Sequence, residues 1–143
     1  APIEFLAGVK YYEGGKRSPI NREKEEKGYS QGWLHHKGRN RHHYEYWIDL
    51  GADRSEGLQG MKMPLKYVIE MFMDRVAASK IYYKENYTDS HALDYYKKNR
   101  KYITMHPETR RLLERLLVML SRRGEAYTMG YIRHVVLKGN YKY

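Results

Sequence analysis

Cysteine is absent from the 143 residues. That excludes a disulfide framework, thiolate zinc and iron–sulfur sites and a cysteine nucleophile, and it gives no sign of an oxidising compartment. Long apolar runs are missing too: nothing approaches the roughly 18 residues of a membrane span. Mean hydropathy is −0.89, so no membrane partner is expected. The opening Ala1-Pro2-Ile3-Glu4-Phe5 lacks a basic stretch followed by an apolar one, which predicts no signal peptide and a cytoplasmic location. Acids are comparatively scarce, with 17 Asp and Glu against 27 Lys and Arg. The resulting net charge of +10 favours an acidic or phosphate-bearing partner. Phe and Trp number two each, but tyrosine numbers 16. Tyrosine buries aromatic area while keeping a polar tip wet, and it also stacks on bases; spread along the whole chain, it reads first as packing.

The length suits one domain over residues 1–143, large enough to bury a core without staples. From Pro64 onward the periodicity is helical, and an all-α, compact helical bundle is the expected fold class. Leu65, Val68, Ile69, Phe72, Val76 and Ala77 recur at helical spacing behind Pro64, which predicts a central core helix. Asp89 or Ser90 can cap the next helix, through Ala92, Leu93, Tyr95, Tyr96 and Tyr102, with Lys97, Lys98, Arg100 and Lys101 outside. Pro107 opens a third, whose stripe of Leu112, Leu113, Leu116, Leu117 and Leu120 stops at Gly124. A last helix runs from Ala126 to about Lys138. In the first half Glu23 to Glu26 is helix-prone, Trp33 to His36 reads as a helical turn, and a helix is expected over His42 to Ile48. Gly51, Gly57 and Gly60 predict a loop between Leu50 and Met63, and no strand of convincing length is expected.

Four of the seven histidines, His35, His36, His42 and His43, fall within nine residues. Imidazole is the commonest neutral ligand for first-row divalent metals, and clustering is what such a site needs. Positions seven apart on a straight helix are roughly 10 Å apart, so one ion reaches both only if the chain turns near Gly38. A solvated, histidine-rich basic surface is the competing reading. Glu70 and Asp74, four apart on one helix face, interrupt an otherwise apolar stretch. A carboxylate buried there needs a cation, a histidine or a metal, so a salt bridge and a ligand role for Asp74 both stand. His106 before Pro107 reads as a helix start, and His91 and His134 as surface or packing residues. No phosphate loop, dinucleotide fingerprint, zincin motif or serine elbow is present.

His42-His43-Tyr44-Glu45-Tyr46-Trp47, a glycine-bearing loop, Met63-Pro64-Leu65 and then Met73-Asp74-Arg75 resemble, in order and chemistry, the second half of an HD-domain metal phosphohydrolase, particularly the HD-GYP branch. In that superfamily such elements supply part of a mono- or dinuclear metal centre. The Gly-Tyr-Pro signature is absent, so cyclic dinucleotide hydrolysis does not carry over. Trp33-Leu34-His35-His36, Arg39-Asn40-Arg41-His42-His43, Met63 to Met71 and His106-Pro107-Glu108-Thr109 are similar to a small uncharacterised family of bacterial and phage proteins. That resemblance spans nearly the whole chain. Some members bear the name catalase, which fits poorly: there is no haem-ligand motif and no haem is expected, although size leaves room for a dimanganese site. The resemblance also implies an N-terminal segment with a His-Asp pair before Pro2, so that this sequence is a truncated form lacking a half-site.

What the resemblance implies for the site is a divalent ion (Mn, Fe, Zn or Ni) on His36, His42, His43 and Asp74. His35 would support the ligands, Glu45 and Glu70 would serve as acid–base groups, and Lys37, Arg39 and Arg41 would hold phosphate. The expected substrate is a phosphorylated small molecule or nucleotide, and a homo-oligomer is compatible with everything above. Two readings compete with a phosphohydrolase: a catalytically silent helical scaffold, and a basic nucleic-acid-binding module using Lys97 to Lys101 and Arg110 to Arg123.

Overall fold

A computed structural model describes residues 2–14 and 18–143. The chain divides into two units, residues 1–46 and 47–143. Apart from two three-residue strands, the regular structure among the described residues is helical.

In the first unit, α1 (Pro2–Tyr11), α2 (Pro19–Lys27) and α3 (Gln31–Arg39) pack on one another. Each boundary of α2 and α3 has a chemical cause. Pro19 sits in the first turn of α2, where no N–H is needed, and Gly28 ends it in the left-handed region at φ 83°. Ser30 caps α3: its Oγ accepts from the Trp33 N–H at 3.0 Å. Asn40 closes α3, giving both its backbone N–H and, at 2.8 Å, its side-chain amide to the His36 carbonyl. The α1 and α3 backbones meet at Gly32, where a Cβ would come within 2.9 Å of the Ala7 Cβ.

A buried carboxylate ties α2 to the start of α3. Glu23 is only 2 % exposed. Its Oε1 accepts from Ser30 Oγ at 2.6 Å and from the Gly32 N–H at 3.3 Å, and Lys27 Nζ lies 3.4 Å from Oε2. The Ser30 hydroxyl, with help from Gly32 and Lys27, holds this carboxyl below its ordinary value in spite of burial.

A 3-10 turn, Tyr44–Trp47, occupies the place where a helix over His42 to Ile48 is expected. Ile48 to Leu50 is instead strand β1, paired antiparallel with β2 (Leu58–Gly60), Ile48 opposite Gly60. Asn40 has already stopped the helix, and the partner strand draws Ile48 onward into extended backbone. The expected loop shrinks to residues 51–57, with a 3-10 turn at Arg54–Glu56 capped by Asp53. Gly60 is forced: a Cβ there would lie 2.5 Å from the His106 backbone N and 2.6 Å from the Met105 carbonyl carbon.

The second unit's core lies among α4 (Leu65–Tyr83), α5 (His91–Asn99) and α6 (Pro107–Arg123). Val68, Ile69, Met71, Phe72 and Val76 form the buried stripe of α4. They belong to the same core as Ala92, Leu93 and Tyr96 of α5 and the leucine stripe of α6, whose five expected members are fully buried. His106 caps α6, its Nδ1 accepting from the Glu108 N–H at 3.2 Å, as its position before Pro107 predicts. α5 stops at Asn99 and a 3-10 turn, Arg100–Tyr102, follows. Gly124, at φ 84°, ends α6, and α7 (Glu125–Tyr131) runs into a π-helical turn, Ile132–Val136. No described helix is long and apolar enough to cross a membrane.

Candidate functional site

Trp33 and the histidines of α3 and of the turn that follows form one aromatic cluster inside the first unit. The α-helical spacing that would hold positions 36 and 43 roughly 10 Å apart is broken at Asn40 rather than at Gly38. The chain folds back, and the His36 and His43 rings approach to 4.9 Å between centroids. His42 and His43 lie 4.5 Å apart, so three imidazoles from two segments run in continuous ring contact. Trp33 sits against them, edge-on to His43 at 4.8 Å and stacked on His36 at 6.0 Å.

Glu4, from the first turn of α1, supports this cluster from the side. One carboxylate oxygen lies 3.0 Å from His35 Nδ1 and the other 3.5 Å from His36 Nδ1. Arg39 Nε stands 3.9 Å away. The hydrogen bond from His35 is the largest influence on Glu4; with those of His36 and the charge of Arg39 it lowers the carboxyl's pKa, against desolvation. A carboxylate accepting from Nδ1 selects the tautomer whose Nε2 is left to bind something else, an arrangement typical of metal-ligating histidines. Glu4 escapes sequence reasoning because 31 residues separate it from His35. An acid in the first turn of a helix is its only local signal.

Lys37 is half-buried on α3, and Arg41 lies over the Tyr46 ring at 5.5 Å. Glu45 is half-buried, and its Oε2 is fully buried without a hydrogen-bond partner among the described residues. Glu70 and Asp74 share a face of α4 as their spacing requires, but that face is exposed. The argument from a buried carboxylate is thereby corrected: α4 buries one stripe, and both acids lie outside it. Beside the cluster, Glu4 and His36 also line a cleft of about 280 Å³ among the three helices, with Ala7, Ile20 and Glu23 in its wall.

A family model described as a family of unknown function, DUF5662, matches residues 1–119. The chain belongs to DUF5662. The match to DUF5662 takes in the first unit, both strands, α4, α5 and most of α6, and thus every residue of the histidine cluster. No curated protein and no solved structure matches the chain.

Proposed function

We propose that this DUF5662 chain is a divalent-metal-dependent phosphohydrolase of the HD type. The observation that carries the reading is the convergence of His36, His42 and His43 in ring contact, with Glu4 set against the Nδ1 side of His36. Neutral imidazoles backed by a carboxylate suit Mn, Fe, Zn or Ni, and the buried Oε2 of Glu45 next along the chain, without a hydrogen-bond partner among the described residues, suits a cation. The ligands would be His36, His42, His43 and Asp74. When bound, the ion would lower the pKa of a water and polarise a phosphoryl oxygen.

The chain's own groups would do the rest. Glu4 would fix the His35 and His36 rings through their Nδ1 atoms. Lys37, Arg39 and Arg41 would neutralise substrate phosphate, a task that suits basic residues interleaved with histidines better than a purely structural zinc site would. Glu45 and Glu70 would move protons as base and acid. The substrate class is a phosphorylated small molecule or nucleotide, and a cytoplasmic location belongs to the same proposal.

The test is metal content by mass spectrometry on protein purified without metal-affinity resin, before and after incubation with Mn, Fe, Zn or Ni, followed by a phosphoester screen. Near-stoichiometric metal, reduced in both His43→Ala and Asp74→Ala, is expected. Absence of metal after incubation, or unchanged stoichiometry in both variants, would overturn the ligand assignment.

A further inference from the structure

The outward side of α5 carries a second chemistry, unrelated to the histidine cluster. Its buried face is spent on Ala92, Leu93 and Tyr96. Over residues 91–102 the remaining charged positions are Asp94, Lys97, Lys98, Arg100 and Lys101. Arg100 is taken by Glu114, 2.7 Å away. Lys97, Lys98 and Lys101 pair with no acid among the described residues, so three lysines outweigh Asp94 alone.

Aromatic rings are interleaved with these charges at helical spacing. His91, Tyr95, Lys98 and Tyr102, at steps of four, three and four, follow one side of the segment. Tyr95 is 64 % and Tyr102 73 % exposed, which is unusual for side chains that gain so much from burial. Lys101 Nζ lies 5.1 Å from the Tyr102 ring. The row continues onto the end of α4: Tyr83 stacks on His91 with ring centroids 3.7 Å apart and planes 4° from parallel, and Tyr82 meets Tyr83 edge-on at 5.0 Å.

We infer that this row is a binding surface for single-stranded nucleic acid, the lysines meeting phosphates and Tyr95, Tyr102 and Tyr82 stacking on bases. Exposed aromatic faces alternating with unpaired cations are what a strand of unstacked bases on a phosphate backbone requires. A duplex keeps its base faces inside its own stack and offers nothing to the tyrosines. An anionic membrane would draw the lysines, but the row is phenolic, with Ile81 its exposed aliphatic neighbour.

The experiment is fluorescence anisotropy of a short labelled oligothymidylate titrated with the whole chain, with and without chelator. Binding is expected, unchanged by chelator, and weaker for a duplex of the same length. Tyr95→Ala and Tyr102→Ala should each weaken it about 5- to 150-fold, whereas Tyr95→Phe and Tyr102→Phe, which keep the ring, should bind nearly as wild type. Replacing Lys97, Lys98 and Lys101 together with alanine should reduce the slope of log affinity against log salt by about 2. The inference is overturned if the oligonucleotide does not bind, if the alanine variants bind as tightly as wild type, or if phosphatidylserine vesicles bind and the oligonucleotide does not. These positions are exposed, so an unchanged circular dichroism spectrum is expected for every variant.

Discussion

Replacing Glu23 tests how the first unit holds α3 in place. In Glu23→Ala, the Ser30 hydroxyl loses its 2.6 Å acceptor and the Gly32 N–H its 3.3 Å acceptor, and both residues are buried. Stranding a buried donor costs about 1–3 kcal/mol, so the pair sets the loss at about 2–6 kcal/mol. Glu23→Gln keeps an acceptor oxygen at the same place. It forfeits only the charge assistance and the partly exposed Lys27 pair, so about 1 kcal/mol is expected. Urea unfolding gives the global figure, and hydrogen exchange at the α3 amides gives the local one. The sign of the pH dependence follows from the direction of the shift. Glu23 has a folded value below its ordinary 4.5, so its contribution is complete above that value and is lost as pH falls through the folded one. The advantage of wild type over Glu23→Gln should therefore be full at neutral pH and shrink below about pH 4.5. An alanine variant within about 0.5 kcal/mol of wild type, or a glutamine variant as damaging as alanine, would refute the reasoning.

Two further substitutions probe the second unit. Gly60→Ala places a methyl 2.5 Å from the backbone of His106, which cannot swing aside as a side chain can; a loss of about 3 kcal/mol or more is expected in thermal or urea unfolding. Tyr96→Phe removes the hydroxyl shared by Glu114 at 2.5 Å and Arg110 at 2.9 Å and should cost about 1–2 kcal/mol. Glu114→Gln should cost less in the Tyr96→Phe background than alone, a coupling that a double-mutant cycle measures.

The parts legible in the sequence are those where periodicity and punctuation agree. In α6, Pro107, the five leucines and Gly124 mark start, buried face and stop, and each proves to do what its position predicts. α4 is read for the same reason, whereas α2 is anticipated only as a helix-prone stretch from Glu23 to Glu26. α1 carries no such signature, because Phe5, Leu6 and Val9 remain exposed and Gly8 sits in its middle, so no polar face contrasts with an apolar one. The strands are three residues long, below the length at which alternation can be seen. At the candidate site, imidazole clustering is visible in the string from His35 to His43, but the fold-back at Asn40 and the buttress of Glu4 are tertiary facts. The exposed placement of Glu70 and Asp74 depends on which side of α4 meets its neighbours, and a helix with apolar residues almost all round leaves that choice open.

The position of Trp33 has an optical consequence. Its indole lies within ring contact of two imidazoles, and a protonated or metal-loaded imidazole drains the excited state of an adjacent indole. The other tryptophan, Trp47, is next to Tyr67 at 6.1 Å. The intrinsic emission of this chain thus contains a Trp33 channel that would respond, without a label, to a change of charge or ligation at His36 and His43.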